Sequence, residues 1–268
     1  MPVSFVVVPQ WQGSPSSRAM RIAEGAAAIR EDLPAAATRE VPVPLEAGDE
    51  QGTGIARFSS VRLVRERLED TLRESPGTAV VIGGDCAVSA GAVAHAAAQG
   101  DMALVWFDAH PDLHSPESSP SGAFAGMVLR SLIDDGTVPA DRVVLAGARS
   151  WDPGEEAFAA KTGIRSIEAG ALADPSALAD AVTGTGASSV YLHVDLDVLD
   201  PADLVGLLDP EPFGVPASAL IAAIQALTAR LPLAGATVAS YAPASDEGRI
   251  EDAPTILRIV GALAAAAR

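Results

Sequence analysis

The sequence predicts an α/β fold in which a central, mostly parallel sheet lies between two layers of helices. Short apolar runs rich in β-branched residues recur along the chain, and Ala-rich stretches of helical length separate them. Strands buried on both faces typically lack polar alternation, and strands that alternate with helices typically form parallel sheets. The predicted strands are residues 3–9, 78–83, 104–107, 142–146, 189–194 and 237–241.

The helical layers are predicted from the segments between these strands. Alanine has the highest intrinsic helix propensity, and it dominates most of these segments. The predicted helices are residues 17–31, 60–74, 87–98 and 217–229, and the Ala-rich tail is predicted to be the final helix. Because no long linker, charge block or internal repeat divides the chain, we expect one domain over residues 1–268.

Composition excludes several classes of partner. A formal charge of −17 repels phosphate backbones and anionic membranes, so we expect no nucleic-acid or membrane partner. The first residues lack the basic and long apolar segments of a secretion signal, and no stretch reaches the length of a membrane span. The only cysteine, Cys86, suits a reducing compartment. We therefore expect a cytoplasmic protein.

Three polar clusters follow predicted strands, at residues 83–86, 108–112 and 195–201. Open parallel sheets bind ligands at the carboxyl ends of their strands, so these clusters can meet at one site. Alternate positions of an extended segment also point to one side. Four carboxylates and one imidazole would repel one another without cations, and this set suits Mn²⁺. Each cluster alone is equally compatible with turns and helix caps. The candidate ligands are Asp108, His110, Asp112, Asp195 and Asp197.

The same clusters carry a family resemblance. Gly-Gly-Asp-Cys at 83–86, Asp-Ala-His-Pro-Asp at 108–112 and His-Val-Asp-Leu-Asp-Val-Leu-Asp-Pro at 193–201 resemble the three signature motifs of the ureohydrolases, the family of arginases and agmatinases. The resemblance implies the arginase-like three-layer fold and a site for two Mn²⁺ ions. It also implies that a hydroxide bound to the metals attacks the guanidine carbon. The family commonly forms trimers or hexamers, so a homo-oligomer is expected.

By this resemblance, each motif residue has an expected role. Asp108 and Asp195 bridge the two metals, and Asp112 also acts in catalysis by accepting a hydrogen bond from the hydroxide. The metal ligands implied are Cys86 and Asp112 for one ion, His110 and Asp197 for the other, and the bridging pair for both.

Three positions depart from the family pattern. Cys86 stands where the first motif normally ends in His, and a soft thiolate matches Mn²⁺ poorly, so its site is expected to bind the metal weakly or to prefer another ion. Ala125 stands where the family places a proton-shuttling His. Ser240 stands where a Glu pairs with the substrate guanidinium. These changes predict either one or two bound Mn²⁺ ions and an unusual substrate.

The resemblance also extends to contacts with an amino-acid substrate. Asp152 and Glu155 match the arginase loop that binds the substrate's α-amino group, although their local sequence by itself favours the start of a helix. Ser121, His114 and Ser119 align with residues that contact the substrate's carboxylate. The expected partner is therefore a small guanidine amino acid.

The departures favour an N-hydroxylated substrate. A protonated arginine side chain would be buried here without the family's Glu, whereas an N-hydroxyguanidine is less basic and its hydroxyl can bind Ser240. In these positions the chain resembles the branch of the family that hydrolyses Nω-hydroxy-L-arginine to L-ornithine and hydroxyurea in D-cycloserine biosynthesis. The alternatives are an arginase, agmatinase or formiminoglutamase type of hydrolase, or a non-catalytic metal-binding member of the family.

Overall fold

Within residues 2–267, eight parallel strands form one sheet, in which the strands are ordered β2-β1-β3-β8-β7-β4-β5-β6. The computed structural model describes residues 2–267. The predicted parallel sheet is confirmed, and the central strands are buried on both faces. The strands are β1 Val3–Val7, β2 Thr38–Glu40, β3 Thr78–Ile82, β4 Ala103–Phe107, β5 Val143–Ala146, β6 Arg165–Ile167, β7 Val190–Asp195 and β8 Leu233–Ala239.

Helices cover both faces of the sheet. Apolar side chains of α1, α6, α7 and α8 join the core on one face, and those of α2, α3, α4 and α5 pack against the core on the other. Within residues 2–267, none of the helices is both long and apolar enough to cross a membrane. The helices are α1 Met20–Glu31, α2 Phe58–Arg73, α3 Val88–Ala97, α4 Val128–Asp134, α5 Pro153–Thr162, α6 Pro175–Thr183, α7 Ala217–Thr228 and α8 Asp246–Ala266.

The predictions missed the edges of the sheet and misplaced its last strand. Strands β2 and β6 have three residues each and are partly exposed, so they lack the apolar run by which buried strands are recognised. The strand predicted at 237–241 begins earlier, at Leu233, and ends at Ala239. Ser240 cannot extend it because its φ of 67° is in the left-handed region. Helices α4 and α6 were also missed, whereas the final helix is confirmed as α8.

The four central strands bring the polar clusters to one edge. Strands β3, β8, β7 and β4 are direct neighbours, and each is followed or ended by a predicted site residue. The turn after β3 requires glycine: Gly84 has a φ of +81°, and a Cβ there would lie 2.8 Å from the Val8 carbonyl oxygen. This turn places Cys86 at the start of α3, facing the ends of the other strands.

Candidate active site

A cleft of about 440 Å³ opens at the carboxyl edge of the sheet. It contains the predicted site residues from every motif, together with the departure at Ala125. Their convergence is a property of the structure, whereas their individual roles remain predictions. The predicted residues that line the cleft are Cys86, Asp108, His110, Asp112, His114, Ser119, Ser121, Asp152, Glu155, Asp195, Asp197 and Ser240.

The sequence predicted that these side chains converge because alternate residues of an extended segment point to one side. The structure brings them together in another way. Strand β4 ends at Phe107, so residues 108–112 lie in a loop. Asp112 has a φ of 52°, a left-handed conformation that is uncommon for residues other than glycine. Asp197 lies in the one-turn 3₁₀ helix Leu196–Val198 that follows β7. Turn geometry, rather than the two-residue period of a strand, therefore aims these carboxylates into the cleft.

One half of the polar cluster surrounds the cysteine. The Cys86 Sγ lies 2.8 Å from Asp195 Oδ2 and 4.0 Å from Asp108 Oδ2. The Ser240 hydroxyl donates to the same Asp195 oxygen and lies 3.8 Å from the sulfur. Backbone contact between the Ser240 N–H and the Gly84 carbonyl oxygen, at 2.9 Å, fixes the turn after β8 against the turn after β3. The Ser240 hydroxyl therefore lies next to the polar cluster.

The other half of the cluster surrounds His110. Its Nδ1 lies 2.9 Å from Asp197 Oδ2 and 3.5 Å from Asp108 Oδ1. The second Asp197 oxygen accepts the Ala109 N–H at 3.0 Å, and Asp195 Oδ1 accepts the Asp197 N–H at 2.9 Å. Asp108 thus contributes one oxygen near His110 and the other near Cys86, which is the arrangement a bridging ligand requires.

Burial makes the cluster electrostatically costly when it is empty of cations. Burial, followed by repulsion from Asp108, raises the pKa of Asp197 to about 6. The pKa values of Asp112 and Asp195 are raised well above their ordinary range, first by burial and then by neighbouring carboxylates. Burial and then Asp195 also raise the pKa of the Cys86 thiol. Bound cations would offset these repulsions.

The donor atoms fit metal ions. Asp112 Oδ2 is buried and has no hydrogen-bond partner in the described structure, so it retains a free lone pair, but Asp112 is in neither of the two donor groups that follow. Donor atoms of Asp108, His110 and Asp197 lie within 4.8 Å of one another. Those of Cys86, Asp108 and Asp195 form a second such group. The residues can therefore hold two cations that share Asp108.

A third polar group, formed by His114, Asp152 and Glu155, also lines the cleft. His114 Nε2 lies 2.9 Å from Asp152 Oδ2 and 3.8 Å from Glu155 Oε2. Glu155 is buried and accepts the Leu113 N–H at 2.9 Å and the Asp152 N–H at 3.1 Å. Asp152 caps α5, which confirms the helix-start interpretation of this segment, whereas a contact of its carboxylates with a substrate stays a prediction.

The two serines predicted to contact the substrate have local hydrogen bonds. The Ser119 hydroxyl accepts the Gly122 N–H at 3.0 Å, and the Ser121 hydroxyl accepts the Ala123 N–H at 3.2 Å. These bonds hold the loop while leaving each hydroxyl proton available. The structure therefore brings both serines to the cleft that also contains His114.

Sequence reasoning assigned no site role to three residues that support the cluster. Trp106 Nε1 donates to Asp108 Oδ2 at 3.1 Å, and its ring stacks on His193 with centroids 3.6 Å apart. His193 Nδ1 lies 2.7 Å from Ser89 Oγ, so one ring nitrogen of this buried histidine has a partner. The Arg149 guanidinium donates to the Asp197 carbonyl oxygen at 2.8 Å. Of these three residues, only His193 has a sequence signal for a place near the site, because it lies two residues before Asp195 on the same strand.

Comparison with known proteins agrees with this geometry. Residues 13–265 match the Arginase family. The chain belongs to the arginase family. Members of this family are metal-dependent hydrolases that act on the C–N bonds of amidines in small guanidino compounds. The arginase-family resemblance of the three motifs is thus confirmed over nearly the whole chain.

Individual arginase-family relatives are moderately similar in sequence. The chain is 30% identical over 204 residues to Nω-hydroxy-L-arginine amidinohydrolase of Streptomyces lavendulae. This alignment covers 72% of this chain and 71% of the relative. It is 26% identical over 185 residues to the arginase of Staphylococcus aureus, an alignment that spans 61% of each chain and so less than two thirds of that relative. The arginase of Entamoeba histolytica in complex with L-ornithine has the same fold, with a TM-score of 0.86, 21% identity and 98% coverage of both chains.

Proposed function

We propose that this arginase-family chain hydrolyses Nω-hydroxy-L-arginine to L-ornithine and hydroxyurea, with one or two Mn²⁺ ions as cofactor. The observation that carries the proposal is the position of Ser240. Its hydroxyl lies against Asp195 and Cys86, so a neutral group, rather than a carboxylate, stands beside the reactive cluster. A substrate without a full positive charge at its reacting end is the best match to this arrangement.

The metal, when bound, supplies a Lewis acid that lowers the pKa of water towards neutrality. The protein contributes a proton acceptor at Asp112. Its free Oδ2 can accept a hydrogen bond from the attacking water. Because Ala125 has no ionisable group, we propose that solvent or the substrate hydroxyl replaces the missing proton shuttle.

The Ser240 hydroxyl suits an N-hydroxyl group. Its proton is donated to Asp195, so its remaining lone pairs can accept a hydrogen bond from the substrate N–OH. Arginine has no such hydroxyl, and its guanidinium is protonated throughout the physiological range. Entry of that cation would require a compensating carboxylate, which the side chain at position 240 cannot provide.

The opposite end of the cleft suits the amino-acid group. Asp152 and Glu155 provide two carboxylates for an α-ammonium, and Asp152 is half exposed at the opening. Ser119 and Ser121 provide hydroxyl donors for the α-carboxylate, and His114 lines the cleft with them while its Nε2 contacts Asp152. Agmatine has no carboxylate, so this end favours an amino acid over agmatine. The 30% identity to an Nω-hydroxy-L-arginine amidinohydrolase supports the same substrate.

Release of ornithine from Nω-hydroxy-L-arginine and from L-arginine tests the proposal directly. Both substrates are compared with added Mn²⁺ and after treatment with a chelator, and hydroxyurea is measured as the co-product. We expect metal-dependent turnover with a higher kcat/KM for the hydroxylated substrate. Equal or faster turnover of arginine would refute the substrate assignment and identify an arginase-type enzyme.

Two further measurements separate the alternatives. Asp152→Ala is expected to raise KM for an amino-acid substrate by about 10-fold, the scale of one lost charge-assisted contact, with little change in kcat. Agmatine and formiminoglutamate test the other hydrolase types. No turnover of any of these compounds in Mn²⁺-loaded protein would favour a non-catalytic member. Cytoplasmic location, homo-oligomerisation and a place in antibiotic biosynthesis stay predictions.

A further inference from the structure

His193 is buried beneath the Cys86 half of the cluster. It lies on β7, two residues before Asp195, and its side chain is 0% exposed. Its Nδ1 has a partner in Ser89, at 2.7 Å. Its Nε2 has no hydrogen-bond partner in the described structure and lies 3.8 Å from Asp108 Oδ2. A buried imidazole nitrogen without a partner is unusual and calls for a ligand.

We propose that His193 Nε2 is a ligand of the metal ion bound beside Cys86. This inference rests on the metal dependence in the proposed function. Donor atoms of Cys86, Asp108, His193 and Asp195 all lie within 4.8 Å of one another. Ligands of one tetrahedral ion, bound at about 2.0–2.3 Å, are separated by roughly 3.3–3.7 Å. Cys86 Sγ lies 2.8 Å from Asp195 Oδ2 and 4.0 Å from Asp108 Oδ2, and His193 Nε2 lies 3.8 Å from Asp108 Oδ2. These separations lie on both sides of that range.

The neighbours of His193 hold its ring in the orientation that a ligand needs. When Nδ1–H donates to Ser89, Nε2 carries a lone pair directed towards the cluster, which is the usual second hydrogen bond of a metal-binding histidine. In the other tautomer, an Nε2–H would face Asp108 at 3.8 Å, beyond hydrogen-bonding distance. Stacking on Trp106, with ring planes 15° apart, restricts rotation of the imidazole.

A histidine at this place changes the character of the metal position. The motif residue Cys86 contributes sulfur, and His193 restores an imidazole from the neighbouring strand. Sulfur and nitrogen donors together favour Zn²⁺, Fe²⁺ or Co²⁺ over Mn²⁺, whereas the His110 position keeps only one nitrogen donor among carboxylates. The two positions should therefore differ in metal preference.

Cobalt-substituted protein tests the assignment without any measurement of turnover. Each imidazole bound to Co²⁺ gives a paramagnetically shifted N–H proton signal, and the family motifs alone predict one, from His110. We expect two signals in the wild-type protein. The signal from His193 should exchange slowly with solvent because its Nδ1–H is buried against Ser89, whereas the His110 ring is 28% exposed. A single, rapidly exchanging imidazole signal in fully loaded protein would overturn the proposal.

The variant His193→Gln assigns the slow signal. It should lose that signal and weaken Co²⁺ binding, read from the thiolate absorption of Cys86, by about 10-fold or more. His95→Gln, on α3 outside the cleft, is the matched control and should keep both signals. Retention of both signals in His193→Gln would refute the assignment. If this variant does not fold, the signal count in the wild-type protein decides. Failure to hydrolyse hydroxyarginine would refute only the proposed substrate.

Discussion

Removal of the metal should make the stability of this protein fall as pH rises from 5 to 8. Two buried carboxyls permit the effect to be estimated. Burial raises the pKa of Asp85 to about 6, and burial and Asp108 raise that of Asp197 to about 6, from an ordinary value of 3.8. Between these pH values the folded state keeps protons that the unfolded chain has lost, so the free energy of unfolding decreases with pH.

The size of the decrease in unfolding free energy follows from the pH range between 5 and the pKa values of the folded state. One pH unit, from 5 to the folded pKa near 6, corresponds to about 1.4 kcal/mol for each group, or about 3 kcal/mol for both. Asp112 and Asp195 also have raised pKa values, which act in the same direction. The charges of Asp108 and Asp197 outweigh the effect of burial and raise the pKa of His110, which then retains its proton where an unfolded histidine would lose it.

Urea denaturation at pH 5 and pH 8, with a chelator present, measures this difference. We expect the metal-free protein to lose at least about 3 kcal/mol over the range, as estimated from the two carboxyls. Asp197→Asn should reduce the loss by about 1.4 kcal/mol because it removes one titrating group. Excess Mn²⁺ should stabilise the folded protein more strongly at pH 8 than at pH 5, because the ligands must be deprotonated to bind the metal. An unfolding free energy that is constant or rises with pH in the chelated protein would refute the electrostatic reasoning.

Two further predictions concern the frame of the site. Gly84→Ala should destabilise the protein by roughly 3 kcal/mol, because it combines a φ of +81° with a Cβ 2.6 Å from a Val88 methyl group. Thermal denaturation measures the effect, and Gly100→Ala is the control because a Cβ at Gly100 would meet open space. Equal destabilisation by the two substitutions would contradict the prediction. Arg149→Met should weaken Mn²⁺ binding by about 10-fold, because the guanidinium holds the carbonyl of Asp197. Calorimetric titration measures the affinity, and an unchanged value would exclude a positioning role for Arg149.

The buried strands were predictable because their side chains contact protein on both faces. Continuous apolar runs such as those of β4 and β5 have no other stable environment than the middle of a sheet. The polar motifs after these strands were predictable as one site for a related reason: the carboxyl ends of parallel strands share an edge. The narrow edge strands β2 and β6 lack this signal, since half-exposed residues also occur in loops.

The sequence by itself determined the fold class, the arginase-family motifs and the substitutions at Cys86, Ala125 and Ser240. The tertiary structure alone decided how these residues meet. The left-handed turn at Asp112 and the stacking of His193 on Trp106 depend on contacts between segments far apart in the chain. Residue types and spacing specify which donors are available. Distances between donors, and the burial that shifts their pKa values, arise only when the strands pack side by side.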